Sequence, residues 1–215
     1  MDVSALLATF PPDSPHPGAN GGSAPATVAG VLKALGGVSL SGGLYRVFDA
    51  EGVRHWTSVA ADGFPTYRGR VTVFAADWLG RLLAADAARR DGEGRELVLM
   101  LEPGTAEVLE VPCTVEAVHT SELLEAADAL VAAPFYEQWR AATGDTAPLT
   151  LAECVGYRVP LFLGGADTVE NLERGNMEVY WSLLAQAAAQ SAALPEGTSI
   201  SSVSASPKSR RLWRR

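Results

Sequence analysis

Residues 154–181 run CVGYRVPLFLGGADTVENLERGNMEVYW, and this stretch leaves its backbone little choice. Arg158-Val159 is expected to be extended, because Pro160 disfavours α geometry in the residue before it. The apolar run Val159, Leu161, Phe162, Leu163 reads as a buried strand. Gly164-Gly165 then supplies a tight turn through glycine's access to positive φ. Asp167-Thr168-Val169-Glu170 resembles a helix start, and Asn176 is a further candidate cap. From Met177 the spacing of Tyr180, Leu183, Leu184, Ala187 and Ala188 predicts a packed helix. Gly156, Pro160, Gly164, Gly165, Tyr180 and Trp181 are therefore expected to shape the fold.

The rest of the chain divides by composition. Residues 1–25 hold one short apolar patch (Val3, Leu6, Leu7, Phe10) and then a Pro/Gly/Ser linker, PPDSPHPGANGGSAP. Residues 26–194 form the expected domain, and residues 195–215, Ser-rich and then basic, the expected disordered tail. Within the domain, residues 26–35 carry Val28, Val31, Leu32 and Leu35 at helical spacing, closed by Gly36-Gly37. LYRVF at 44–48 alternates as a strand, Asp49-Ala50-Glu51-Gly52 reads as a turn, and a second strand is expected through His55 and Val59. Residues 70–112 are the clearest β region, although RLLAADAA within it fits strand or helix equally. Glu102-Pro103-Gly104-Thr105, between apolar segments at 97–101 and 106–111, has Pro and Gly placed for a type II hairpin turn. Thr120 or Ser121 could cap one helix reaching Thr143 and stopping at Gly144, and Thr150-Leu151-Ala152-Glu153 matches a capping box. Strands grouped before helices, without regular alternation, predict an α+β fold: an antiparallel β-sheet with helices packed on one face.

Charge narrows the partners. The net charge is −8, yet the last 21 residues carry five cations against one carboxylate, so the remainder bears about −12. Such a body repels nucleic acid and anionic membranes and favours a basic protein partner. Cys113 and Cys154 are far apart, which gives no disulfide framework and points to a reducing, cytoplasmic setting. No apolar run approaches the roughly 20 residues needed to span a bilayer, and Asp2 stands where a secretory signal would carry a cation.

The 154–181 stretch resembles the C-terminal domain of type VI secretion DNase-immunity proteins, a family long catalogued as a domain of unknown function and often paired with a GAD-like domain. GLYRVFD at 43–49, VFAADWLGRLLAAD at 73–86, VLMLEPGTAEVLEVP at 98–112 and FYEQW at 135–139 follow the same order, so the resemblance covers about residues 43–190. It implies a non-enzymatic binding protein that neutralises a secreted toxin, a nuclease by family. The stretch before Gly43 is too short for a complete GAD-like domain, Gly175-Asn176 and Ala166 depart from the pattern, and the basic tail lies beyond it. The alternative is the same fold serving as a generic protein-interaction module with no toxin partner.

No residue grouping argues for catalysis, a cofactor or a metal. Cys154, His119 and Asp167 could be named as nucleophile, base and orienter, but no local motif joins them, and a free Cys on an apolar flank is usually packing. Cys113 with His119 lacks the second pair a tetrahedral zinc site needs. His16 and His55 sit near turns and are expected to be solvated. Trp78, Trp139 and Trp181 are expected in the core. Asp167, Glu170, Asn171, Glu173 and Glu178 are the candidate partner-binding residues: their acids would meet a basic nuclease groove and speed encounter with a cationic partner.

Overall fold

The computed structural model describes residues 2–15 and 26–192; the expected tail at 195–215 and most of the expected linker, His16 included, lie outside them. Helix α1 (Ser4–Thr9) sends Leu6 into the core, so the N-terminal patch is part of the packed body. Helix α2 (Val28–Leu35) starts where the Thr27 hydroxyl accepts the Gly30 N–H. Strands β1 (Ser39–Leu40) and β2 (Tyr45–Val47) follow, then helix α3 (Ala50–Gly63). The long strands are β3 (Val71–Asp77), β4 (Leu82–Arg90), β5 (Glu96–Glu102) and β6 (Glu107–Thr114). Short helices α4 (Val115–Ala117), α5 (Leu123–Glu125) and α6 (Ala127–Val131) lead to α7 (Ala133–Thr143). Strands β7 (Glu153–Tyr157) and β8 (Leu172–Asn176) pair with each other, and α8 (Met177–Ala192) ends the described chain.

Strands β1 to β6 form one antiparallel sheet in sequence order, which confirms the α+β class. Helices cover both of its faces rather than one. Val98 and Met100 of β5 enter a core shared with α1, α2 and α4 to α7, whereas Leu99 and Leu101 enter a second core under α3 and α8. A strand buried on both sides needs apolar residues at every position, which is why VTVFAA, LLAA and LVLML run on without polar alternation. RLLAADAA is accordingly strand. Between Val73 and Ala75 the register of β3 shifts, so that Phe74 and Ala75 face the same core.

Four local expectations change. The stretch through His55 and Val59 is helix α3, not a strand: Asp49 accepts the Gly52 N–H at 2.7 Å as its N-cap, and Trp56 and Ala60 lie on its buried side. The turn between β5 and β6 places its left-handed residue at Ala106 (φ 58°), not at Gly104. Gly104 is needed for space, since a Cβ there would sit 2.8 Å from the Tyr157 ring. The helix expected from Thr120 to Thr143 begins earlier, at the Thr114 cap, and is broken by a π turn at Val118–Glu122 and by the left-handed Ala132. Its stop at Gly144, in the left-handed region, is as read. The Thr150 box forms half of its bonds, Glu153 accepting the Thr150 N–H at 3.0 Å, but strand β7 follows instead of a helix.

Arg46 joins the small sheet to the large one, and Arg174 braces the small sheet against the loop after α7. Arg46 of β2 is fully buried and donates to the carbonyls of Thr150 (2.8 Å), Glu153 and Asp77. Its charge lies near Asp77, which Arg81 pairs at 2.6 Å and whose carboxyl burial pushes up. Arg174 of β8 grips Glu153 at 2.9 Å and Asp145 at 3.1 Å, and its hydrogen bonds hold the Glu153 carboxyl down at about 2. Replacing Arg46 by Met would leave the buried carbonyls of Thr150, Glu153 and Asp77 without their donor, while the Asp77 carboxylate keeps Arg81. It is expected to lower stability by about 3–5 kcal/mol, seen as a fall in the urea midpoint. The Glu153 pair stabilises the fold fully above the ordinary carboxylate value of 4.5, and that contribution is lost as pH falls through about 2. Glu153→Gln should therefore melt below wild type at pH 7, and the two melting curves should converge between pH 4.5 and 2.

Candidate partner-binding surface

The segment after β7 is built by constraints on a few residues. Arg158 continues the ladder, its N–H reaching the Asn171 carbonyl at 2.8 Å. Pro160 begins a turn rather than ending a strand: its carbonyl accepts the N–H groups of Leu163 and Gly165, both at 3.0 Å. Residues Leu161–Leu163 make a half-buried 3-10 turn, so the expected buried strand is absent and the strand of this region is β7. Gly164 is left-handed (φ 86°), and a Cβ on Gly165 would run into the Val159 carbonyl. The Asn171 side chain closes the loop. It accepts the Val159 N–H at 3.0 Å and donates to the carbonyls of Val159 and Ala166, each at 2.8 Å.

Helix α8 locks against this hairpin through Tyr180. Its ring lies where a Cβ on Gly156 would be, and its hydroxyl accepts the Tyr157 N–H at 3.2 Å. The Tyr157 hydroxyl in turn donates to Asp167 at 2.7 Å. Asn176 caps α8 by accepting the Val179 N–H at 3.0 Å. One turn on, Trp181 is buried and its indole donates to the Gly80 carbonyl at 2.8 Å. Gly156 and Gly165 thus leave room for their neighbours, Pro160 and Gly164 turn the chain, and Tyr180 and Trp181 pack α8 against the hairpin and the large sheet. Trp78 and Trp139 are buried as well.

Between this hairpin and α8 lies an open groove of about 390 Å³, lined by Arg158, Glu173 and Tyr180 and flanked by Val179 and Leu183. Val179 is 56% exposed and Leu183 44%. They stand one helical turn apart on α8, so they form a continuous apolar ridge. Sequence periodicity had assigned Leu183 to the core; the buried positions of α8 are instead Met177, Trp181, Leu184 and Ala187.

The five candidate partner-binding residues do not share one patch. Glu173 lines the groove and faces Arg158 at 3.5 Å, both largely exposed. Glu178 borders a different hollow beside α3 and lies 3.8 Å from His55. Asp167 and Glu170 are exposed on the loop before β8, where Asp167 is tied to Tyr157. Asn171 is the loop staple described above. Arg174 and the Val179–Leu183 ridge escaped sequence inspection, because neither a lone Arg nor two aliphatics on a helix announces exposure or pairing.

The grouping of Cys154, His119 and Asp167 is not assembled. Cys154 lies in the core under α3 and α8, where burial pushes its thiol up to about 12. His119 is buried on the other face of the sheet, bonded to the Tyr45 hydroxyl and the Val115 carbonyl, each at 2.8 Å, and burial lowers it to about 4. Cys113, on the same face as His119, is also pushed up to about 12. Among the described residues, no three His, Cys, Asp or Glu side chains gather as a metal site, and no helix is long and apolar enough to cross a membrane.

Known proteins share this architecture. The crystal structure of Atu4351 from Agrobacterium tumefaciens superposes with a TM-score of 0.55 at 17% identity, covering 85% of this chain and 87% of that one, which shows a common fold. No curated protein matches the sequence. Residues 122–188, which hold β7, β8 and most of α8, match the family model described as type VI secretion immunity protein Tdi1, C-terminal. The match falls on the 154–181 stretch that carries the resemblance, and over residues 122–188 this chain is similar to the C-terminal region of the Tdi1 immunity proteins.

Proposed function

We propose that this protein is an immunity-type binding protein that neutralises a secreted bacterial toxin, a basic nuclease, by direct contact in the cytoplasm. The match of residues 122–188 to the Tdi1 family carries this reading. The surface described above suits it. The apolar ridge Val179–Leu183 supplies area to desolvate, Arg158 and Glu173 supply a charged rim, and Glu170 is exposed on the neighbouring loop. Cys154 and His119 are buried on opposite faces of the large sheet, which favours occupancy over covalent chemistry as the mode of action.

The acids and the ridge contribute differently. Exposed rim charges act mainly on encounter rate, and Glu170→Lys with Glu173→Lys should slow association and flatten its salt dependence. An apolar anchor acts mainly on residence time, and Leu183→Asp should weaken binding by roughly tenfold or more through faster dissociation. Both are read by surface plasmon resonance against the toxin encoded beside this gene, with protection of toxin-expressing cells as the second measurement. A wild-type protein that neither binds nor protects would end the immunity reading and leave a generic interaction module.

A further inference from the structure

The two edges of the large sheet are treated differently. At the β1 edge, residues from the N-terminal segment lie alongside: Pro12 bridges Leu40, Asp13 donates its N–H to the Ser39 carbonyl at 2.9 Å, and Ser41 donates to Pro11 at 2.9 Å. At the other end of the strand order, β6 has β5 on one side and no strand among the described residues on the other. An edge that no strand pairs offers N–H and C=O groups, except the N–H that Pro112 lacks, to any extended chain that can approach it.

The side chains on this edge select what can approach. Leu109 is 43% exposed at the middle of β6, opposite Met100 of β5, with Glu107 two residues before it on the same face. Glu110 projects to the other face, where Arg89 meets it at 3.2 Å. Residues 96–139, which include β6 and the helical segment that follows, contain nine carboxylates and not one Lys or Arg. Glu107, Glu125 and Asp128 are exposed and enter no ion pair among the described residues. A second copy of this chain pairing antiparallel and centred on Glu107, or on Glu110, would set that carboxylate against its own kind. Like charges across a strand pair are unfavourable, so self-association is opposed by the same residues that attract a cationic strand.

We propose that the β6 edge is a docking site for an extended basic segment of a partner protein, one that alternates Lys or Arg with apolar residues and adds to the sheet as a further strand. The inference rests on the reading that this chain acts by binding a protein, and it adds a surface separate from the β7–β8 and α8 platform. Backbone hydrogen bonds would supply affinity, Leu109 an apolar contact, and the carboxylates the preference for cations.

The test uses a capped octapeptide of alternating Lys and Val, with the Glu/Val peptide as control, and reads amide hydrogen exchange together with peptide affinity. The Lys/Val peptide is expected to slow exchange across residues 108–111 by about tenfold or more, and the Glu/Val peptide to leave it unchanged. Leu109→Lys and Glu107→Lys, both at exposed positions, should each weaken the Lys/Val peptide at least about fivefold with unchanged melting. No added protection at β6, equal effects of the two peptides, or full protection of β6 before any peptide is added would overturn the proposal. The last result would mean that another part of this chain, or a second copy, already holds the edge. A cognate toxin that binds wild type and Leu109→Lys equally also removes β6 from recognition while leaving the immunity reading intact. A toxin that fails to bind wild type, beside a peptide that still protects β6, separates the two in the other direction.

Discussion

A buried guanidinium ties the two sheets of this molecule together, beside the bond from the Val155 N–H to the Trp78 carbonyl. Arg46 leaves the second strand of the large sheet and ends among the carbonyls of Thr150 and Glu153, at the entry to the small sheet, and of Asp77, at the first tight turn. A charge removed from water is tolerated only where partners replace the lost hydration, so every element supplying a carbonyl is pinned relative to the others. The Asp77 carboxylate and Arg81 extend the arrangement, and Arg81 reaches Glu102 at 3.8 Å and the Leu130 carbonyl at 3.2 Å. Burial pushes Glu102 up to about 7 against the pull of Arg81, which marks how little water reaches this interior. An apolar core of equal volume could supply the stability. It would not fix the angle between the hairpin and the sheet in the same way, because dispersion contacts lack direction.

That network was largely invisible in the sequence, and the reason is physical. Arg46 sits in LYRVF as any surface Arg would in an alternating strand, and nothing local shows that its side of the strand is covered. What was legible was local or periodic: three of the four long strands, the Asn176 cap, the stop at Gly144, and the turn role of Gly164-Gly165. Errors came where two structures share a cue. Asp49-Ala50-Glu51-Gly52 is good turn chemistry and also a good helix start, and tertiary burial of Trp56 and Ala60 decided for helix. Thr150-Leu151-Ala152-Glu153 makes one bond of a capping box, but Arg46 and Arg174 hold both the carbonyl and the carboxylate of Glu153 and draw the chain into a strand. The covering of both sheet faces, by contrast, could have been read. Continuous apolar strands such as LVLML have no polar side to give to solvent.

The candidate surface shows a different limit. Its framework, from Gly156 to Trp181, was found because residues with restricted backbones or large rings stand out in a sequence. Its exposed part was not, because exposure is decided by what else packs nearby. Val179 and Leu183 follow the same helical spacing as buried residues, and only the position of Tyr180 over Gly156 turns them outward. The acids scattered for a related reason. Residues 167 to 178 cross a loop, a strand and a helix start, so neighbours in sequence emerge on separate surfaces.

Under the binding function proposed above, rigidity of this kind matters. Ordering a loop at the moment of binding subtracts from affinity, whereas a loop already stapled by Asn171 and locked by Tyr180 presents its groove at no such cost. The same staple explains why the region tolerates so many exposed charges: apart from Asp167, which holds the Tyr157 hydroxyl, its geometry is carried by backbone and amide hydrogen bonds rather than by the acids. Charges freed from structural duty can differ between relatives without disturbing the fold. The span that matches the Tdi1 family, 122–188, contains this platform, while β6 lies outside it. Recognition of a particular partner can then be tuned on exposed side chains of the platform and along the sheet edge. The buried arginines keep the two surfaces in a fixed relation.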